Sequence, residues 1–158
     1  NDLGLSSINN VNTTARLGLR YRKDIWSVSL NGMYEGRYTR YKETPQYNQD
    51  GHTYEVILSP QVDLPFGMKI NAQGIFYTRT GFSDPMLNHD QWIINASVSQ
   101  TFLKDKSLTL QLEVTDLLQE RTAEFSHLSA TSRTFSRTEC FLSYVMLHAI
   151  YRLNLGGK

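Results

Sequence analysis

Seven long runs in this chain alternate apolar and polar residues at every second position, and the connections between them are in turn short and long. A period of two sends successive side chains to opposite faces of a strand. Short turns alternating with longer loops are the hairpin grammar of an antiparallel meander in which each strand pairs with the next. The fold class expected is all-β, an antiparallel transmembrane β-barrel wall of about seven strands.

Asn1 to Asn12 is rich in Asn and Ser and reads as a loop or as the frayed end of a preceding strand. Thr13 to Arg22 is the first strand, with Ala15, Leu17, Leu19 and Tyr21 facing one way and Arg16, Arg20 and Arg22 the other. After a turn at Lys23 and Asp24, Trp26, Val28, Leu30, Gly32, Tyr34, Gly36 and Tyr38 share a face in a strand that runs to Tyr41. A polar loop, Lys42 to Gly51, leads to a strand carrying Tyr54, Val56, Leu58, Val62 and Leu64. Pro60 lies on its apolar face and has no N–H to give a ladder, which predicts a bulge or a local edge. A turn at Pro65 to Gly67 precedes Met68, Ile70, Ala72, Gly74 and Phe76; the loop Gly81 to Asp90 precedes Trp92, Ile94, Ala96, Val98 and Phe102. A turn at Lys104 to Lys106 opens the strand of Leu108, Leu110, Leu112 and Val114. Leu117 to Arg137 is the longest connection, with parts expected to continue as strand beyond the membrane. The last strand, Cys140 to Leu153, puts Phe141, Val145, Leu147, Ala149, Tyr151 and Leu153 on one face, and Leu142, Met146 and Ile150 make its other face partly apolar. Its apolar run of about a dozen residues is too short for a spanning helix, which needs about 20.

Composition alone describes a soluble domain: 158 residues, net charge +1 and a mean hydropathy of −0.40. A barrel hides from such averages because every second residue faces the lumen, so the value argues only against a helical membrane protein. The chain begins at Asn1 without an initiator Met, a basic leader or an apolar leader segment, as expected of a processed product or a piece of something longer. The single Cys140 allows no internal disulfide, and a charge near zero leaves no basic footprint for nucleic acid.

Three features favour lipid over a soluble barrel of the same periodicity. Aromatic residues bracket an aliphatic band: Tyr21, Trp26, Phe102 and Tyr151 lie near the short turns, and Tyr34, Tyr54, Phe76, Trp92 and Phe141 lie toward the long loops. Rings of this kind settle at the headgroup level on either side of a bilayer. The opposite face is built from Ser, Asn, Gln and Thr rather than the Lys and Glu of a soluble surface. Ile25 to Tyr41 is also far longer than the 5 or 6 residues usual in soluble sheets. The turns at Lys23, Gly67 and Asp105 are then periplasmic, and the loops near Gln49, Pro85 and Ser129 face outside.

Leu108 to Lys158 resembles the C-terminal end of TonB-dependent receptors and related outer-membrane β-barrel family proteins of the Bacteroidetes type. The resemblance rests on the strand leading into Asp116, Leu117 and Leu118, on Gln119 and Arg121, and on the last strand with Tyr144 to Leu147 and Tyr151 to Asn154. It covers the last third of the chain; the first two thirds match by hairpin pattern alone. It implies a large barrel around a plug, with residues 1–158 as a single segment of its C-terminal wall and no plug domain within it. The partners implied are the lipid bilayer of the outer membrane, the remaining strands and plug of the same barrel, a TonB-type energising complex and a surface lipoprotein. No nucleic acid and no cofactor are expected.

Catalysis and metal binding find little support. His52 near Asp50 and His89 beside Asp90 read as turn formers in external loops, His127 lies in the longest loop, and His148 faces the lumen or a neighbouring strand. No catalytic, cofactor or metal residues are therefore expected, and the chain is read as a non-enzyme. Arg16, Arg20, Arg37, Lys69 and Arg79 are expected to neutralise Glu35, Glu55, Asp63 and Glu113 across the polar wall, as a lumen network or as docking points for a plug, with ligand binding as the alternative. The expected function is the wall of a substrate uptake or binding barrel in the cell outer membrane. A small autonomous barrel with a structural, adhesion or enzymatic role and a soluble lipocalin-like barrel are the alternatives. Direct pairing of the first and last strands would be parallel, so those two are expected not to meet.

Overall fold

The structure is a computed structural model and describes residues 7–83, 85–103, 106–121, 124–128, 133–137 and 142–153. Its strands are β1 (Ile8–Lys23), β2 (Trp26–Tyr41), β3 (Gln49–Asp63), β4 (Met68–Thr80), β5 (Asp90–Phe102), β6 (Leu108–Thr115), β7 (Glu124–Leu128), β8 (Arg133–Arg137) and β9 (Tyr144–Tyr151). Seven of them form one sheet in the order β1-β2-β3-β4-β5-β6-β9, and β7 and β8 form a separate hairpin. All pairings are antiparallel. The meander expected from alternation is what the backbone forms. β1 and β9 lie at opposite edges and run in the same direction, as expected, and they do not pair.

The turns explain why register holds. At the β3–β4 turn the N–H of Gly67 bonds the Leu64 carbonyl at 3.1 Å, and the Leu64 N–H bonds the Met68 carbonyl at 2.8 Å. Gly67 has φ +89°, a conformation only glycine adopts without strain, so Pro65-Phe66-Gly67 is a type I turn closed by a left-handed glycine. The β3–β4 turn is tied to the end of β5 where the Gln100 side chain donates to the Phe66 carbonyl at 3.0 Å.

Three expectations need correction. The first strand begins at Ile8, because Ile8–Asn12 pairs with Arg37–Tyr41 of β2; side chains that read as loop are carried as strand by an already formed neighbour. Of the bulge or local edge expected at Pro60, the bulge is absent and the local edge forms, on the β4 side. Leu58 pairs with Gly74 and Gln61 with Asn71 in the same register, and only the bridges at Ser59 and Pro60 are missing toward β4, while Pro60 still pairs with Val28 on the β2 side. The missing N–H therefore costs ladder bonds on one side without adding a residue. The loops after β2 and β4 are also shorter than expected, since β3 starts at Gln49, and each contains a 3-10 turn, Pro45–Tyr47 and Pro85–Leu87. The longest connection does contain strand, the β7–β8 hairpin. Cys140, Phe141, Lys104 and Asp105 lie outside the described residues.

Candidate functional site: the bilayer face and the lumen wall

Residues directly opposite in an antiparallel ladder share a face, so the registers assign both surfaces of the sheet. One row runs Leu19, Leu30, Leu58, Gly74 and Ile94; another runs Trp26, Val62, Ile70, Val98, Leu112 and Leu147. This face is apolar through all seven strands, and it is open: Leu17 is 68% and Leu147 71% exposed. Seven strands about 4.8 Å apart, with an apolar band about 20 Å tall, present on the order of 700 Å² of projected surface. A typical soluble monomer exposes at most about 300–600 Å² in one patch.

The aromatic residues divide this face as a bilayer would. In the register Tyr21 on β1 is level with Val145 on β9, by way of Val28, Pro60, Ala72, Ala96 and Val114, the step from Pro60 to Ala72 following the register of Leu58–Gly74 and Gln61–Asn71. Tyr151, the aromatic residue at the same end of β9, lies six residues further along the strand. Six residues at about 3.3 Å give about 20 Å of stagger, and six strand spacings give about 29 Å, so the aromatic line crosses the strands at a slant of about 35°. Barrel strands tilt about 35–45° from the membrane normal, and the slanted girdle is that tilt written into the side chains. Along β2, Trp26 and Tyr34 are eight residues apart, which at the same slant separates the two girdles by about 22 Å, close to the ~25 Å apolar band of an outer-membrane barrel.

At the outer girdle Tyr34 packs on Tyr54 with ring centroids 5.1 Å apart, and Phe76 packs on Trp92 at 4.5 Å. The Tyr34 hydroxyl lies 2.9 Å from Nδ1 of His52 and 3.0 Å from the Tyr38 hydroxyl. His52 thus belongs to β3 and to the bilayer face, where its expected place was an external loop. Beyond the girdle the same face turns polar. Arg40 Nη1 meets Asp50 Oδ1 at 2.6 Å, a hydrogen bond that holds the guanidinium above its ordinary value, and Thr78 bonds Asp90. Such side chains suit headgroups and water rather than acyl chains.

The opposite face carries the polar half of each strand. Asn71 donates to Ser97 at 3.3 Å and Asn95 to Gln73 at 3.0 Å, while Gln61 donates to both Asp63 oxygens at 3.0 and 2.9 Å. The expected mutual neutralisation is met in part. Arg37 pairs with Glu35 at 2.6 Å, Lys69 with Asp63 at 3.5 Å, and Arg22 approaches Asp63 at 3.9 Å. Arg79 lies over the Tyr77 ring at 5.1 Å and meets no carboxylate among the described residues. His148 faces the lumen side, with Nε2 3.4 Å from Glu113 but too poorly aligned for a hydrogen bond. Arg16 and Glu55 flank a shallow depression of about 230 Å³ floored by Gly18, Asn31 and Met33. His89 stays in its loop beside Tyr77, ring centroids 6.1 Å apart, and His127 falls in β7. Among the described residues no three of His, Cys, Asp and Glu converge on a metal position.

The role of two features of this wall could not be read from the alternation. Ile57, Ile75 and Ile93 stand directly opposite one another across β3, β4 and β5 on the polar face, and Ile93 is 7% exposed. The signal was a local lapse of alternation in Val56-Ile57-Leu58, Gly74-Ile75-Phe76 and Trp92-Ile93-Ile94, which becomes one apolar row only once register is known. The second is the turn after β6. Asp116 has φ +51° and is fully buried, and its carboxylate accepts the backbone N–H of Glu120 at 3.3 Å and of Arg121 at 2.9 Å. Its own N–H donates to Asn95 Oδ1 at 2.9 Å, and its carbonyl accepts the Ser143 hydroxyl at 2.8 Å. The turn so locked lays Leu117 N–H on the Ile94 carbonyl at 2.8 Å and Glu120 Oε2 on the Trp92 N–H at 2.7 Å. It covers the edge of β5 where β6 has ended, at a level where an open ladder costs several kcal/mol per group in lipid.

A seven-stranded antiparallel sheet with a girdled apolar face and a polar reverse is the wall of a membrane β-barrel. The profile of the Outer membrane protein beta-barrel family matches residues 5–151, and the chain belongs to that family. It resides in the outer membrane, in contact with its lipid bilayer. No curated protein and no solved structure is significantly similar to the chain.

Proposed function

We propose that the chain is the C-terminal wall of a TonB-dependent-type outer-membrane receptor of the Bacteroidetes type. It encloses part of a substrate path, and its external connections contribute a recognition surface. The observation that carries this reading is the pair of open edges. β1 and β9 run the same way and stand at opposite ends of the sheet, so an antiparallel barrel closes only through further strands. Its partners on this reading are those strands, a plug, a TonB-type energising complex and a surface lipoprotein; nucleic acid is not among them. The Asp116 turn supports the resemblance, because the residues shared with the receptors, Asp116, Gln119 and Arg121, are those that build it or bracket it. The role on this reading is non-catalytic, with His52 engaged by Tyr34 on the bilayer face.

The intact mass of the native polypeptide, extracted from outer membranes, tests the reading. A polypeptide several times the 18.2 kDa of this chain supports a large receptor. A mass equal to these residues plus a signal peptide overturns it in favour of a small autonomous barrel.

A further inference from the structure

The free edge of β1 carries a pattern that identifies what lies against it. Every residue of β1 is exposed, while half of the backbone N–H and C=O groups of an edge strand point away from its one partner. On the bilayer face Leu17, Leu19 and Tyr21 continue the apolar band to the very edge. On the lumen face the same strand carries Arg16, Arg20 and Arg22. Among the described residues Arg22 approaches a carboxylate, Asp63, whereas Arg16 stands across Met33 from Glu55 of β3 and forms no ion pair with it. The residues directly opposite the other two on β2 are uncharged, Met33 for Arg16 and Ser29 for Arg20. The nearest acid along that face of β2, Glu35, is taken by Arg37, and Asp63 is shared by Lys69 and Arg22. The far edge of the sheet shows no such excess, since β9 turns Tyr144, Met146, His148 and Ile150 to the lumen.

We infer that the strand pairing with the free edge of β1 is antiparallel to it, apolar toward lipid, and carries Asp or Glu on its lumen face opposite Arg16 and Arg20. This rests on the larger-barrel reading and adds the chemistry of the neighbour. Opposite charges facing each other across a ladder stabilise it, and two arginines facing neutral or basic residues at a barrel seam would not. The pairing completes the backbone ladder, extends the bilayer face without a gap and supplies the counter-charges that β2 does not.

The test uses the full-length native protein in outer membranes, with the photo-crosslinker p-benzoylphenylalanine placed at position 16 or at position 20; assembly of either variant suffices. Mass spectrometry of the cross-linked peptide is expected to return a segment of the same polypeptide with period-two alternation and a carboxylate at the linked level. In a second arm, Arg16→Glu and Arg20→Glu lower the urea midpoint of unfolding, and exchanging the identified carboxylate for Lys restores it. A cross-linked strand that is neutral or basic at that level, a cross-link to a different polypeptide, or no rescue by the exchange overturns the inference and leaves the larger barrel standing. A native polypeptide with no strands beyond those of this sheet overturns both.

Discussion

Tyr21 on β1 and Tyr151 on β9 mark the same membrane interface, yet six residues of ladder register separate their levels. A flat soluble sheet has no reason to stagger its aromatic residues strand by strand, whereas a barrel wall in a bilayer must do so because its strands are inclined. Polarised infrared spectroscopy of the full-length protein in aligned bilayers should therefore give strands inclined about 35–45° to the membrane normal. Strands lying parallel to the bilayer plane would contradict the assignment of the girdles.

The two tryptophans stand at opposite girdles, Trp26 at the short-turn end and Trp92 beside Phe76 at the loop end. With Trp26→Phe and Trp92→Phe variants compared in vesicles, each remaining indole should be quenched more strongly by a lipid labelled near the headgroup than by one labelled near the chain end. Stronger quenching of either by the deep label would place that girdle wrongly.

The buried Asp116 carboxylate satisfies the N–H groups of Glu120 and Arg121. Asp116→Ala leaves both without an acceptor and should lower barrel stability by about 1–3 kcal/mol, read as a shift in the urea unfolding midpoint. Glu120→Ala removes only the side-chain acceptor of the Trp92 N–H and should cost less. A neutral Asp116→Ala would mean that the turn is held by packing alone.

How much of this wall the sequence reveals follows from what sets each part. The bilayer and lumen faces were legible because alternation is imposed residue by residue, and Leu17, Leu30, Val98 and Leu147 fall where the period puts them. What depends on a neighbouring strand was not. Ile8–Asn12 is strand because β2 is already in place beside it. Pro60 keeps its register because the β2 ladder on its other side is intact. The row of Ile57, Ile75 and Ile93 exists only across three strands. The Asp116 turn was visible as a resemblance, but its work, closing the β5 edge through Asn95, Ser143 and Trp92, needs contacts up to 28 residues apart in sequence.

The measurement that bears most directly on the wall itself compares Leu147→Arg with Gln111→Arg in the full-length protein folded into bilayers. The two positions lie at nearly the same depth on neighbouring strands, Leu147 opposite Leu112 and Gln111 opposite His148, but on opposite faces. Arginine at Leu147 should cost roughly 2–4 kcal/mol of folding free energy at the bilayer midplane, and at Gln111, beside Glu113, far less. Equal penalties, or a larger one at Gln111, would show that the faces are reversed or that neither meets lipid.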